Sequence, residues 1–185
     1  MTGQPRQTLT LRFPTKDISE LASQYVADLN ARDRGLTQVI TEEVFPAYES
    51  QGFLTKDQCL KVCEWKSPRT KPLVESNDAS FIREVSALAR TTSSEQMRIQ
   101  VWTLLKGINW ATASVFVHFA FFGQYPILDV RALWSLGVEN PPQYDFTFWW
   151  NYTEACRSLA AKAGGTMREL DQALWKYSQL NQSRE

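Results

Sequence analysis

The chain has no excess of either charge: 20 Lys and Arg stand against 20 Asp and Glu over 185 residues, a formal net charge of zero. That balance argues against a strong nonspecific binder of nucleic acid, which needs surplus positive charge. Cysteine is scarce. Cys59, Cys63 and Cys156 are too few for a disulfide framework. Cys59 and Cys63 lie four apart on one expected helix face, but they lack the further ligands a zinc ion takes, so no metal site is expected. The thiols read as reduced and buried, as in a cytoplasmic protein. Long apolar runs are missing too. The longest, Ala113 to Phe122, is interrupted by Ser114 and His118. It falls well short of the ~20 residues of a membrane span, so no membrane contact is expected, and no targeting segment is recognisable. There is no convincing strand pair, internal repeat or low-complexity tract.

What remains is helical pattern and aromatic mass. Seven Trp, ten Phe and six Tyr carry apolar area that must mostly pack inside. Apolar residues recur at three- and four-residue spacing from Asp17, through Ile18, Leu21, Tyr25, Val26 and Leu29, with Arg34-Gly35 as the expected stop. A second helix is expected from Thr37 towards Tyr48. Thr55–Gln58, Thr92–Glu95 and Thr166–Glu169 each match a capping box. They open helices carrying Cys59 and Cys63, then Met97, Val101, Leu104 and Leu105, and finally Leu170 and Leu174 inward. Asn77 or Asp78 starts another, with Phe81, Ile82, Val85 and Leu88 inward, and Asp145 to Lys162 forms an aromatic-rich one. About nine helices give an all-α fold: a compact multi-helix domain over residues 15–185, preceded by a tail or arm at 1–14. The basic excess, 9 against 6, sits in residues 51–110. Within it, Lys66 to Pro72 reads as a basic loop with two prolines.

The most informative stretch is Leu104 to Gly137. Leu105-Lys106-Gly107-Ile108-Asn109 reads as a tight turn. Gly107 tolerates positive φ freely and Asn109 is among the better non-glycine choices, while Ile108 can plug inward. A helix from Trp110 to Phe122 follows. Converging backbone N–H groups at such a helix start attract anions. Pro126-Ile127-Leu128-Asp129-Val130-Arg131 then places an aspartate at the head of a short helix. This order resembles the catalytic core of the helix-hairpin-helix DNA glycosylases (the HhH-GPD superfamily). The specific resemblance covers about thirty residues. The leucine, first glycine and β-branched plug of that family's Leu-Pro-Gly-[Val/Ile]-Gly turn are present; Lys106 and Asn109 replace its proline and second glycine.

The resemblance implies a helix-hairpin-helix motif whose turn, Gly107, Ile108, Asn109, Trp110, Ala111 and Thr112, holds a DNA phosphate. It implies that Asp129 is the catalytic carboxylate, stabilising an oxocarbenium-like transition state and activating water, and that the target base is flipped into a pocket. The partner is then duplex DNA bearing a damaged or modified base, bound by a monomer in the cytoplasm, or at the nucleoid if the source is bacterial. Bifunctional members carry a lysine after the hairpin; that position holds Ala111, so a monofunctional hydrolase without lyase activity is expected. The four-cysteine iron–sulfur loop of some relatives is absent, and no cofactor is expected. Arg131 would support the carboxylate or bind DNA, and Trp65, Lys66, Arg69 and Lys71 would meet DNA or the pocket.

Each residue also has a plain structural role. Asp129 can simply cap a helix, Gly107–Asn109 can be an ordinary inter-helix turn, and Trp110 and Trp65 can be core. His118 reads as a satisfied core histidine. Two other functions stay open: a helix-hairpin-helix module that grips DNA without chemistry, and a protein-interaction domain on a degenerate glycosylase scaffold.

Overall fold

The computed structural model describes residues 9–183. The first eight residues of the expected 1–14 tail or arm lie outside that range. The described residues hold eleven α-helices, short 3-10 turns and one π-helical turn, and no strand is among them. The all-α expectation therefore holds. No helix among the described residues is long and apolar enough to cross a membrane.

The helices are α1 (Ile18–Ala27), α2 (Ala31–Val39), α3 (Phe45–Gln51), α4 (Lys56–Lys66), α5 (Lys71–Glu75), α6 (Ala79–Thr91), α7 (Glu95–Gln100), α8 (Trp110–Ala120), α9 (Val130–Ser135), α10 (Phe146–Ala163) and α11 (Met167–Asn181). Helix α8 runs through the centre, with every side chain from Thr112 to Phe119 buried. Around it pack Trp102, stacked on Phe116 at 4.2 Å, and Trp149, stacked on Tyr125 at 5.6 Å. Helix α1 lies along α11, which also packs on α9. Residues 9–14 are docked rather than free: Thr10 and Arg12 donate backbone N–H groups to Leu136 and Ser135, and Phe13 is buried against Tyr177.

Several element boundaries depart from the sequence pattern. The expected 17–35 helix breaks at Asp28–Asn30, because Asn30 accepts from the Asp33 N–H and caps a new helix. Gly35 then lies inside α2 rather than ending a helix. The next helix is interrupted by a π turn at Ile40–Val44, directly before Pro46 in the first turn of α3. Proline lacks an N–H and its ring clashes one turn back, and a wider turn accommodates both. The Lys66 to Pro72 segment is a helical turn leading into α5, not a loop. The capping boxes at Thr55 and Thr166 form as expected. The third does not: Ser94, not Thr92, caps α7. That shift turns Met97 and Leu104 outward and buries Ile99 and Trp102 beside Val101 and Leu105, which are buried as expected. Phe81 and Leu88 are likewise more exposed than expected.

His118 is buried as expected, its Nδ1 at 2.7 Å from the Tyr125 carbonyl. Burial depresses its pKa to about 3, so the ring is neutral near pH 7. All three cysteines are free and buried.

The turn at Gly107 is tightly packed. Its φ is +82°, and an added Cβ would come within 2.9 Å of the Leu73 Cβ and 3.1 Å of the Thr70 carbonyl oxygen. Gly107→Ala therefore combines left-handed strain with a clash against α5. It is expected to cost about 2–4 kcal/mol in denaturant unfolding. Gly123→Ala has similar φ, +77°, but open space around it. It is expected to cost only the strain, about 1–2 kcal/mol. Equal losses at the two positions would refute the close α5 contact.

Candidate functional site

Asp129 precedes α9 in extended conformation, and its Oδ1 accepts from the Arg131 N–H at 2.9 Å, so the capping role is real. Its other oxygen, Oδ2, accepts from the Lys66 ammonium at 2.5 Å. Both side chains are mostly buried, 22% and 14% exposed. Burial alone would raise the Asp129 pKa. The Lys66 charge and hydrogen bond, the Arg131 N–H and the Arg131 charge outweigh it and hold the carboxyl below the ordinary aspartate range. Asp129 is thus a carboxylate kept ionised although mostly buried.

That carboxylate faces a cavity of about 370 Å³. Its walls come from α1 (Tyr25), the α1–α2 turn and α2 (Asp28, Leu29, Asn30, Asp33), the end of α4 (Trp65, Lys66), the residues around Asp129 (Ile127, Ala132) and α11 (Asp171, Trp175, Gln179). Three aromatic side chains line it. Trp65 is held by its indole N–H, which donates to Thr37 Oγ1 at 2.9 Å. Tyr25 and Trp175 meet edge to face at 5.4 Å. Under the floor, Arg168 lies against Trp65 and Phe119, each at 5.5 Å, and pairs with Asp171 at 2.7 Å. On the rim, Lys176 is paired with Asp28 and also donates to Gln179.

Two polar side chains that the sequence reading did not single out fix the Asp129 loop. Ser114 Oγ, one turn into α8, accepts from the Leu128 N–H at 2.8 Å. Tyr152 donates to the Ile127 carbonyl at 2.9 Å. A third, Asn77, pins the Gly107 turn: its side chain accepts from the Lys106 N–H and donates to the Lys106 carbonyl, at 2.9 and 3.0 Å. In sequence Ser114 is an ordinary polar residue in an apolar pattern, Tyr152 is one ring of an aromatic-rich helix, and Asn77 reads as one of two candidate helix starts, a role Asp78 takes; only their pairing reveals what they do. The same holds for Asp171, which looks like a solvent-facing member of an amphipathic helix; Tyr25 reads as part of the apolar face of the first helix and instead lines the cavity.

The anticipated residues divide. Asp129, Lys66 and Trp65 come together in the cavity. Arg131 lies over the Trp175 ring at 5.0 Å. Arg69 is exposed, and Lys71 pairs with Glu64 at 3.2 Å; neither lines the cavity. Ile108 is buried as a plug, and its N–H is spent on the Leu105 carbonyl. The Thr112 N–H is taken by the Asn109 side chain. The N–H groups of Gly107, Asn109, Trp110 and Ala111 have no protein acceptor among the described residues. Trp110 is half-buried against the core and does not line the cavity. Of the aromatic 146–152 segment, Trp149 and Tyr152 are fully buried, and none lines the cavity.

Among the described residues no group of three or more His, Cys, Asp or Glu stands placed to hold a metal ion. No family model, no curated protein and no solved structure matches the chain.

Ser114→Ala removes the acceptor of a buried backbone N–H. It is expected to cost about 1–3 kcal/mol and to speed amide hydrogen exchange at Leu128 and Asp129 more than elsewhere in the chain. Unchanged exchange at those two amides would show that Ser114 does not fix the loop.

Proposed function

We propose that the protein is a monofunctional DNA N-glycosylase of the helix-hairpin-helix type, removing a damaged or modified base by hydrolysis. The observation that carries this reading is an ionised carboxylate, Asp129, in an aromatic-walled cavity of about 370 Å³. That volume lies within the range of small-ligand pockets, about 300–1,000 Å³. A flipped base would enter it with its faces against ring systems. The glycosidic carbon would then lie towards Asp129, whose negative charge stabilises the cationic sugar as the bond to the base breaks. The same carboxylate can orient the water that completes hydrolysis.

The Gly107–Ala111 turn supports the DNA part of the reading. Its four unspent N–H groups sit at the start of an eleven-residue helix whose dipole favours a phosphate. Ser114, on that same helix, holds the Asp129 loop, so a phosphate on the turn and a sugar at the carboxylate are registered through one rigid element. Lys66 is a positioning residue here, fixing Oδ2 of Asp129. Ala111 at the family's lysine position supports hydrolysis without a lyase step.

The test is a panel of duplexes, each with one lesion, incubated with wild type or Asp129→Asn and resolved on a denaturing gel with and without alkali. Wild type is expected to give alkali-dependent nicks on at least one lesion. Asp129→Asn is expected to lower that rate by about 10²–10³-fold, the scale of a lost electrostatic stabiliser. Nicks that persist undiminished in the variant, or duplex binding with no nick on any lesion, would overturn the assignment.

A further inference from the structure

Asp171 stands in the same cavity as Asp129 but outside the chemistry assigned to it. It projects from the first turns of α11, is 11% exposed at its side chain, and lines the cavity wall. Its Oδ2 accepts from Arg168 Nη1 at 2.7 Å. Its Oδ1 has no protein donor among the described residues. A carboxylate has room for about four hydrogen bonds, so one oxygen of a nearly buried group is left for something that enters the cavity. Arg168 cannot swing away to satisfy it, since the guanidinium is packed against Trp65, Phe119 and Tyr25 at 5.5–5.9 Å.

The cavity dictates how a planar ligand meets that oxygen. Trp65, Tyr25 and Trp175 line the cavity together with Asp171; a planar ligand packed against one of these rings by its face meets Asp171 with its edge. An ionised carboxylate only accepts, so it rewards N–H donors and penalises a carbonyl or a bare ring nitrogen turned towards it. Bases differ on this point. Uracil and thymine present one N–H flanked by two carbonyls. Adenine and cytosine present an amino group beside an unprotonated ring nitrogen. Guanine alone among the five presents two adjacent donors, N1–H and the 2-amino group. We propose that Asp171 is the specificity-determining residue of the cavity and selects a guanine-type edge, so that the excised base is a modified guanine keeping N1–H and its 2-amino group. The ligand's identity as a nucleobase rests on the glycosylase reading above.

The groups facing Asp171 set the pH range of this selection. Burial raises its pKa to about 6, Arg168 and Lys66 oppose that rise, and Asp129 adds to it. Tyr25 on α1 and Tyr152 and Cys156 on α10 also sense its charge, and burial pushes all three upward, so they stay neutral near pH 7. Asp171 is therefore mostly ionised at pH 7.5. It gains a proton, and ceases to be a pure acceptor, as pH falls through about 6.

Guanosine and inosine differ only in the 2-amino group, and 1-methylguanosine carries a methyl group in place of the N1–H. Each is titrated into the full-length protein at pH 7.5 and pH 5, with tryptophan fluorescence as the readout because Trp65 and Trp175 wall the cavity. Duplexes bearing 8-oxoguanine or 8-oxohypoxanthine are assayed for excision in parallel. Wild type is expected to bind guanosine about tenfold more tightly than either analogue at pH 7.5. The preference should shrink at pH 5, and in Asp171→Asn it should fall to within about threefold. Should the variant fail to fold, loss of the wild-type preference between pH 7.5 and pH 5 remains the test of Asp171, and a preference unchanged at pH 5 overturns the inference. Failure of wild type to prefer guanosine, or a preference that survives Asp171→Asn, overturns the inference. A guanosine preference without excision of any base would retire the glycosylase reading and leave the role of Asp171 standing.

Discussion

The ion pair between Lys66 and Asp129 is the constraint on which the rest of the site depends. Two opposite charges taken largely out of water cost free energy unless geometry and further hydrogen bonds compensate. Here they do so in part: Asp129 also takes the Arg131 N–H, and that bond starts α9. Removing either partner would leave an unpaired charge in an aromatic cavity, the more damaging alternative. Lys66 is the last residue of α4, so the pair ties the end of one helix to the beginning of another. In doing so it closes one wall of the cavity and aims a carboxylate into it.

Around that pair the structure relies on polar side chains that each satisfy a backbone group at an element junction. Ser114 and Tyr152 hold the residues just before Asp129. Asn77 holds the peptide of Lys106 while α5 packs against Gly107. Buried polar groups of this kind are costly unless paired, and when paired they specify one arrangement over its neighbours. The apolar core supplies bulk stability. The paired polar groups set the register between the Gly107 turn and the Asp129 carboxylate.

Much of this was readable beforehand, for identifiable reasons. The capping boxes at Thr55 and Thr166 are local devices whose partners lie three residues away, and both formed. Asp129, Lys66 and Trp65 were singled out, although Lys66 was read as the start of a basic loop rather than as the last residue of a helix beside the aspartate. The failures were also local in origin. At Thr92 two candidate caps compete, and Ser94 wins because its side chain bonds the Met97 N–H. At Asn30 the side chain begins a new helix inside a continuous apolar pattern. What sequence spacing could not give was long-range pairing. Arg168 with Asp171 looks like a surface pair one turn apart, and nothing in α11 announces that Tyr25 and Trp65 fold over it. The cavity is an emergent property of helices far apart in sequence.

The most direct test of the account is the carboxyl titration of Asp129, followed by carbon-13 NMR in wild type and in Lys66→Met. In wild type the group should titrate below the ordinary aspartate range. A depressed folded-state pKa means that its contribution to stability is present above the unfolded value and is lost as pH falls through the folded one. In Lys66→Met burial is no longer opposed by the ammonium, and the titration should move upward. An Asp129 that titrates at or above its ordinary value in wild type, or that does not respond to loss of Lys66, would contradict the claim that this pair holds an ionised carboxylate ready in the cavity.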